Sequence, residues 1–479
     1  MLVMGASGYV GSHLVPRLIE AGHEVRASAR DAEVLSGRGW DADLVSADAL
    51  RPETLRAALD GVEVVYYLVH SMAAGRDFAA LDREAAANVR DAAESAGVRR
   101  IIYLGGLQPP DESSEHLRSR RETGDALRAG SVPVTELRAG IVVGPGSAAF
   151  EVIRDLVYHL PVMVTPRWVQ SRTQPIALDD LLGYLVRLPE VEETAGRTLD
   201  VGGPETLSYE QMLRGFAEVV GRRLRVVRVP VLSPRLSSYW LDVVTAVPAS
   251  IARPLVDGLR HDLLADDAEI RRLVPMELHG YGEAVRAALE GERAQELPAR
   301  WTEGALPFRA GRPNVSFYSK RASAERACTA PASALWSAVV RVGGDEGWHW
   351  DWLWRLRGAL DRLLGGAGMR RGRRHPGELR VGDAVDFWRV VAIEPGHRLT
   401  LLAEMKLPGA AVLEFTVEDG ASGESTLRTD ARFHPAGAVG LLYWYALTPI
   451  HGALFAGQTR RLCVQAEQIA LAAPRAPLS

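Results

Sequence analysis

The sequence predicts an α/β protein with a doubly wound parallel sheet, followed by a smaller α+β domain. Strand and helix patterns alternate through residues 1–295, a charged segment with several prolines occupies residues 296–313, and residues 314–473 combine helices with short alternating strands. A chain of 479 residues is also too long for one ordinary core, because domains run at roughly 100–200 residues. We therefore expect two domains and a linker with these boundaries.

The chain begins with a pattern of strand, glycine turn and helix. Residues 2–4 are apolar, GASGYVG follows at residues 5–11, and Val10, Leu14 and Leu18 recur at helical spacing. Glycines at this junction let the backbone turn tightly and approach a pyrophosphate, whose charge lies at the helix N-terminus. The pattern predicts a dinucleotide site. Its expected contacts are Gly5, Ser7, Gly8, Tyr9, Val10 and Gly11.

The residue after the second predicted strand indicates which dinucleotide is bound. Arg30 follows the strand pattern of residues 24–29, where an acidic residue would hold the ribose 2′-hydroxyl of NAD. A guanidinium matches a 2′-phosphate in charge and in fork geometry. The alternative is a solvated Arg30 with Asp31 on the ribose. We expect NADP(H) in preference to NAD(H).

Alternating strands and helices continue beyond this point. Residues 62–69 form a near-continuous apolar run, as expected of a strand buried on both faces, and residues 101–104 and 134–143 predict further strands. Helical patterns at residues 52–59 and 78–96 separate these strands. Such a sheet binds its ligands at the carboxyl ends of the strands.

These segments resemble the short-chain dehydrogenase/reductase superfamily, in its extended and atypical, NmrA-like branch. The resemblance lies in GASGYVG and in SADAL (46–50), VVYYLVHSM (64–72), AGVRRIIYLGGL (96–107) and TELRAGIVVGPGS (135–147). It implies an NAD(P)-binding Rossmann fold for the first domain. It also implies cofactor contacts from Asp48, Leu68, Val69 and Gly105.

One catalytic feature of that superfamily is missing. Active members carry a Tyr-x-x-x-Lys pair, whereas His116 and Arg120 stand at those positions here, and the usual Ser or Thr position falls in Gly105 and Gly106. His116 could donate a proton near neutral pH, or it could be an exposed histidine at a helix start. Tyr67 and His70 lie where ribose and substrate contacts fall in the superfamily, and His70 is the better acid by position. Hydride transfer to an acceptor whose reduction depends little on a proton donor is therefore still possible.

Three residues further along are candidates for substrate binding. Arg138 either holds an anionic substrate or pairs with a carboxylate. Trp168 and Gln174 belong to residues 163–181, which resemble the lid-side segment of a subgroup of epimerases and reductases. Trp168 either packs in the fold or stacks on the ligand. Tyr103, within a buried strand, is interpreted as a core residue.

The last domain shows a different order of elements. A strand pattern is followed by two helices, by four strands separated by turn residues, and by a helix at about residues 439–472. The strands alternate apolar with polar residues, which is typical of an antiparallel sheet with one solvated face. This order is that of the START-like, helix-grip fold. WRVVAIEPGHRLTLLAEMKLPGAAVLEF at residues 388–415 also resembles a domain of unknown function that is often fused to these dehydrogenases.

In the helix-grip fold the sheet encloses an apolar cavity against the last helix, which would suit a hydrophobic ligand. The candidate lining residues are Leu401, Met405, Phe415, Tyr443, Trp444 and His451. The alternative is that these side chains only fill the core. The basic run at residues 370–374 is interpreted as a solvated loop or as a site for an anionic ligand or lipid headgroup.

Composition excludes other classes of protein. A net charge of −4 excludes a globally basic nucleic-acid binder, so no nucleic-acid partner is expected. Cys328 and Cys463 are far apart and predict neither a disulfide framework nor a thiolate metal site. With no signal peptide in the sequence, they favour a reducing, cytoplasmic location. No metal site is expected from the scattered histidines. Residues 438–455 predict a buried or amphipathic helix, with weak membrane contact as the alternative.

Together these patterns predict an NADP(H)-binding oxidoreductase that reduces a small apolar carbonyl or quinone-like acceptor. A non-catalytic, NmrA-like cofactor sensor fits the same glycines. A carrier of hydrophobic ligands, acting through the last domain, is a third interpretation.

Overall fold

The chain divides into two compact units, Met1–Pro298 and Ala299–Ser479. The computed structural model describes residues 1–70, 78–109, 114–160, 162–165, 167–228, 262–293, 314–344, 346–363, 378–420 and 424–472. The expected linker and the basic run at residues 370–374 lie outside the described residues. Each unit has a sheet and a hydrophobic core of its own.

A parallel sheet of seven strands forms the centre of the first unit. The strands of this unit are β1 (Leu2–Met4), β2 (Arg26–Ala29), β3 (Asp43–Ser46), β4 (Val64–Tyr67), β5 (Arg100–Gly106), β6 (Val134–Ala139), β7 (Val142–Val143), β8 (Val162–Thr165), β9 (Arg172–Thr173), β10 (Ile176–Ala177), β11 (Thr198–Val201), β12 (Leu207–Ser208) and β13 (Arg225–Arg228). The order of the central sheet is β11-β6-β5-β4-β1-β2-β3. The chain order reverses at β1, and such a switch point is where doubly wound sheets bind ligands.

Helices cover both faces of this sheet. They are α1 (Tyr9–Glu20), α2 (Glu33–Ser36), α3 (Pro52–Leu59), α4 (Phe78–Ser95), α5 (Glu115–Arg128), α6 (Ala148–His159), α7 (Leu178–Arg187), α8 (Tyr209–Val219), α9 (Ala268–Leu273) and α10 (Tyr281–Arg293). Short 3₁₀ helices span Arg167–Gln170, Leu188–Glu190 and Glu192–Thr194.

Successive residues of the central strands point to opposite sides of the sheet. Val3 packs in one core with Leu14 of α1, whereas Met4 packs in the other with Leu55 of α3 and Val89 of α4. Burial on both faces explains the continuous apolar runs of these strands. The predicted doubly wound α/β fold is confirmed.

The second unit is α+β. Its described residues form a six-stranded antiparallel sheet in the order β14-β19-β18-β17-β16-β15. The strands are β14 (Lys320–Cys328), β15 (Ala384–Val385), β16 (Trp388–Glu394), β17 (Arg398–Ala403), β18 (Gly409–Asp419) and β19 (Ser425–Pro435), and the helices are α11 (Ala332–Val339), α12 (Asp351–Leu363) and α13 (Gly437–Ala472). The predicted order of elements is confirmed, except that a two-residue strand, β15, precedes the four predicted strands, and the START-like identity stays a prediction.

The second unit contains a disulfide, which corrects the expectation that the two cysteines predict none. Cys328 at the end of β14 is bonded to Cys463 on α13, with the two Cα atoms 5.4 Å apart and 135 residues between them. Both cysteines are buried, at 2% and 1% exposure. Only the packing of β14 along α13 brings them together, which spacing in sequence does not reveal. The two cysteines therefore no longer indicate a reducing compartment.

A Cys328→Ser variant is expected to lower the free energy of unfolding of the second unit by about 2–5 kcal/mol, because a long loop is no longer closed in the unfolded chain. The measurement is urea unfolding of the oxidised protein and of the variant. As a control, the free energy of unfolding of Cys328→Ser should be close to that of the wild-type protein kept fully reduced. A full complement of reactive thiols in the denatured, unreduced protein would contradict the disulfide.

Within the described residues, Gly437–Ala472 is long and apolar enough to cross a membrane by length and composition. Only 28% of its most apolar stretch is buried, and a core helix of a soluble protein can have the same length and composition. Leu454, Phe455 and Leu462 pack into the core of the unit, whereas Val439 and Leu442 are exposed. The helix therefore packs in the core along part of its length and exposes apolar side chains elsewhere. The cytoplasmic location stays a prediction.

Candidate active site

The turn between β1 and α1 has no room for side chains at its glycines. Gly5 has a φ of 84°, in the left-handed region that favours glycine. A Cβ on Gly5 would lie 3.0 Å from the carbonyl oxygen of Leu68, and a Cβ on Gly11 would lie 2.3 Å from that of Gly5. Because both obstacles are backbone atoms, neither can rotate away. Such close approach of strand, turn and helix is what a pyrophosphate site requires.

The N-terminus of α1 can receive an anion. Its N-cap, Gly8, provides no side-chain cap, and the first turn of the helix contains no acidic residue. Ser7 and Gly8 are exposed, and the half-buried Tyr9 and Val10 begin the helix. The backbone amides of the first helical turn point toward the N-terminus and, together with the helix dipole, favour a phosphate there. These residues therefore fit the pyrophosphate of a dinucleotide.

Arg30 is exposed directly after β2. The competing carboxylate, Asp31, accepts a hydrogen bond from the Glu33 amide at 2.9 Å, so one of its oxygens is engaged at the start of α2. Asp48 follows β3 and accepts from the Leu50 amide at 3.0 Å. The position of Arg30 suits a 2′-phosphate, and this contact stays a prediction.

The segment after β4 connects the glycine turn with the first candidate acid. The Leu68 amide donates to the Met4 carbonyl at 3.1 Å, and the Val69 nitrogen lies 3.4 Å from the Cβ position of Gly5. The next residue in the chain is His70. Two expected cofactor contacts, Leu68 and Val69, therefore lie beside the turn and lead directly to this histidine.

Two histidines and a buried carboxylate meet beyond the carboxyl end of β4. His70 Nδ1 lies 2.7 Å from Asp82 Oδ2, and His70 Nε2 lies 3.3 Å from His116 Nδ1. The Ser119 hydroxyl donates to the same Asp82 oxygen at 3.2 Å. His116 is half-buried, so its interpretation as an exposed histidine is wrong. The fold brings two predicted catalytic residues together.

Burial lowers the pKa of both imidazoles. For His70, the charge of Arg120 lowers the pKa further, whereas Asp82 raises it. For His116, burial together with Arg120 and His70 lowers the pKa to about 3. Both rings are therefore mainly neutral at neutral pH, and a neutral imidazole donates through one nitrogen and accepts through the other.

Arg120 anchors the helix that carries His116. Its guanidinium donates to the Leu104 carbonyl at 2.9 Å, and its own carbonyl accepts from the Tyr103 hydroxyl at 2.9 Å. The third predicted catalytic residue, Tyr67, is fully buried with its ring 5.9 Å from that of Tyr103. Burial raises the pKa of Tyr67. This placement favours packing over proton transfer for both tyrosines.

The predicted substrate residues lie in structural contacts where they are described. Arg138 Nε lies 2.9 Å from Glu136 Oε1, and the Glu136 side chain is 1% exposed. Gln174 accepts from the Ala265 amide at 2.7 Å. The side chain of Trp168 lies outside the described residues. For Arg138 the geometry favours pairing with a carboxylate over binding an anionic substrate.

Gly105 shares this contact. A Cβ on Gly105 would lie 2.8 Å from Glu136 Oε1, so the packing of Glu136 accounts for a glycine inside β5. A contact with the cofactor is therefore not needed to explain why residue 105 is a glycine.

Some of the expected cavity residues lie in the main core of the second unit, and others contact aromatic neighbours on α13. Leu401, Met405 and Phe415 belong to its main core. The ring of His451 lies 4.5 Å from that of Trp444, and burial lowers the pKa of His451 to about 4. This arrangement favours the alternative in which these side chains fill the core.

The sequence places the charged Asp82 on an apolar helix face, but the sequence pattern alone does not identify its partner. On α4, Asp82 lies on the same face as Ala85, Ala86 and Val89, which are all buried. A carboxylate on such a face needs a polar partner, because an unpaired buried charge is costly. The partner is distant in the chain. Within the part of the chain that the structure describes, no group of three or more His, Cys, Asp or Glu residues could hold a metal.

Two family models match the chain. One, described as NAD(P)H-binding, covers residues 5–139, and the other, described as a protein of unknown function (DUF2867), covers residues 318–458. The first includes the glycine turn, Arg30 and the histidine site. The second covers most of the antiparallel unit.

Two known reductases are similar to the first unit. A (4-alkanoyl-5-oxo-2,5-dihydrofuran-3-yl)methyl phosphate reductase of Streptomyces griseus is 31% identical over 234 residues, which are 47% of this chain and 75% of that protein. A ceramide reductase of Caulobacter vibrioides is 25% identical over 231 residues, which are 48% of this chain and 73% of that protein.

Solved structures show the same fold. A triphenylmethane reductase of Citrobacter sp. has a TM-score of 0.51 and 21% identity, covering 60% of this chain and 99% of its own. An NADPH-dependent quinone oxidoreductase of Escherichia coli has a TM-score of 0.51 and 19% identity, with the same coverage of 60% and 99%. The family model and the glycine turn identify the first unit as an NAD(P)-binding Rossmann domain, and these solved structures share its fold. The chain belongs to the family of NAD(P)H-binding reductases that includes the Streptomyces griseus phosphate reductase.

Proposed function

We propose that this protein is an NADPH-dependent reductase of a small apolar carbonyl or quinone-like acceptor. The observation that carries the proposal is the pairing of His70 with His116, directly after the segment that contacts the glycine turn. Ionisable groups with shifted pKa values that meet at the carboxyl ends of parallel strands are typical of functional sites. The reductases to which the chain is related support the same class of reaction.

Different residues of the chain bind the cofactor and supply the proton. The glycine turn and the N-terminus of α1 hold the pyrophosphate, and Arg30 holds the 2′-phosphate. NADPH, when bound, supplies a hydride. His116 holds a proton for the acceptor at Nε2, the nitrogen that does not face His70. His70 orients that ring, and the half-buried imidazoles keep the proton away from bulk water.

Oxidation of NADPH by the full-length protein tests this function. The acceptors are a panel of aldehydes, ketones and quinones, and the loss of NADPH absorbance is followed. We expect turnover with at least one acceptor and weaker binding of NADH than of NADPH. Tight binding of NADPH without turnover on any acceptor would contradict the enzyme and favour the cofactor sensor.

An Arg30→Ala variant is expected to weaken NADPH binding by about 10–100-fold, because a hydrogen bond to a charged group contributes roughly 1.5–3 kcal/mol. The affinity for NADH should change by less than about threefold, since NADH has no 2′-phosphate. Fluorescence titration with each cofactor measures both. Arg56→Ala, which removes an exposed arginine from α3, is the control. Equal losses for NADPH and NADH would contradict the assignment of Arg30.

A further inference from the structure

We infer that Asp82, His70 and His116 form a proton relay, and that the reacting group of the acceptor is a carbonyl rather than a centre that accepts hydride alone. This inference rests on the proposed function and names its substrate class. His116 is the catalytic residue in it, whereas Asp82 and His70 are positioning residues that act through His116.

Asp82 is more buried than the two histidines. The exposed fraction of the side chain is 3% for Asp82 and 12% for His70, and His116 is half-buried at the second residue of α5. Asp82 is held in place by Ser119, which is itself fully buried. The carboxylate is therefore the inner end of the three groups. An ionised carboxylate at the inner end can only accept, so His70 Nδ1 donates to it.

The facing nitrogens of the two histidines share one proton position. If His116 Nδ1 donates to His70 Nε2, both rings are neutral and His116 Nε2 is a base. If His70 Nε2 donates instead, His70 is a cation beside Asp82 and His116 Nε2 carries a proton that it can give away. The two forms differ by one proton. The relay can therefore take up a proton and deliver it from His116 Nε2.

Reduction of a carbonyl to an alcohol consumes this proton. Hydride adds to the carbonyl carbon, the π electron pair moves to the oxygen, and that oxygen takes the proton from His116 Nε2 to give an alcohol and NADP⁺. As His116 loses the proton from Nε2, the proton between the rings moves from His70 Nε2 to His116 Nδ1. A carbocation that accepts hydride needs no proton, so a built relay has no use with such an acceptor.

Within the described residues, the charged and titratable groups that shift the pKa values of the two histidines are Asp82 on α4, Arg120 on α5 and the histidines themselves. Burial and Arg120 disfavour the proton-loaded form, and Asp82 favours it. Because reduction requires the loaded form, the rate should rise as pH falls, with an inflection below the ordinary histidine pKa of 6.5. Without Asp82 the inflection should move to lower pH.

Three variants and two kinds of acceptor test the relay. At neutral pH, His116→Gln and Asp82→Asn should lower the rate of carbonyl reduction by about 100-fold and about 10-fold, respectively. Ser119→Ala leaves the carboxylate in place but removes one hydrogen-bond donor to it, so it should shift the pH profile in the opposite direction to Asp82→Asn and by less. His397→Gln, at an exposed histidine of the second unit, is the control and should change nothing.

Reduction of a cationic triphenylmethane dye separates proton delivery from general damage. If the dye is accepted, its rate should stay within about threefold in all three variants, because hydride alone completes that reaction. Equal losses for dye and carbonyl would overturn the relay in favour of a structural role. Unchanged carbonyl reduction in His116→Gln would also overturn it.

Titration of the histidine rings by NMR, with ¹⁵N-labelled histidine and no cofactor, tests the relay independently of turnover. We expect His70 and His116 to titrate as a coupled pair, and Asp82→Asn to move the pKa of His70 further down. Independent titration of the two rings, unaltered by Asp82→Asn, would overturn the relay even if the protein reduces an acceptor. Coupled titration without any turnover would support the relay and contradict only the proposed function.

Discussion

Gly11→Ala is expected to weaken NADPH binding by about 100-fold or more, because the added methyl group displaces the backbone that surrounds the pyrophosphate. The new Cβ would lie 2.3 Å from the Gly5 carbonyl oxygen and 2.9 Å from the Ala6 Cα. Neither atom can yield without moving the turn. The same overpacking should lower the free energy of unfolding by about 1–3 kcal/mol. Fluorescence titration with NADPH and urea unfolding measure the two effects.

Gly37→Ala is the matched control. Gly37 has a φ of −74° at the end of α2, and a Cβ there would meet no atom within 4 Å. This variant should bind NADPH within about threefold of the wild type, since it alters no contact of the turn. If Gly11→Ala binds as tightly as Gly37→Ala, the turn does not approach the cofactor as closely as the backbone geometry implies.

The fold could be predicted largely from local patterns. Continuous apolar strands that alternate with amphipathic helices indicated a sheet buried on both faces, and both cores are present. In the second unit, turn residues between alternating strands indicated the antiparallel sheet. The disulfide was missed because it depends on the packing of β14 against α13, and no local pattern encodes that contact.

The site could be predicted only in part. The glycines and Arg30 follow strands within a short span of chain, so spacing alone places them at one end of the sheet. The histidine site joins His70 and His116, which are 46 positions apart in the chain. Its carboxylate, Asp82, comes from a third segment, α4. Asp82 carried a signal, a charge on an apolar helix face, but its partner became identifiable only when the strands were placed side by side.

Glu136→Gln is expected to lower the free energy of unfolding by about 2–4 kcal/mol, because it leaves two arginines around a buried amide. Glu136 is 1% exposed and contacts Arg138 on its own strand and Arg128 on α5. A Cβ on Gly105 or Gly124 would lie 2.8 Å from its carboxylate oxygens, so the space is shaped for this side chain. Glutamine fits the same space, and the variant therefore tests the charge without opening a cavity. Urea unfolding measures the loss.

Glu192→Gln provides the comparison, because Glu192 is 71% exposed and pairs with Arg99 at the surface. Removal of the Glu192 charge should lower the free energy of unfolding by less than about 0.5 kcal/mol. Equal effects of the two variants would contradict a buried ion-pair network. If Glu136→Gln lowers stability while NADPH affinity stays within about threefold, Gly105 and Arg138 act with Glu136 to hold α5 against the sheet. The position of His116, on that same helix, would then depend on a contact that touches no ligand.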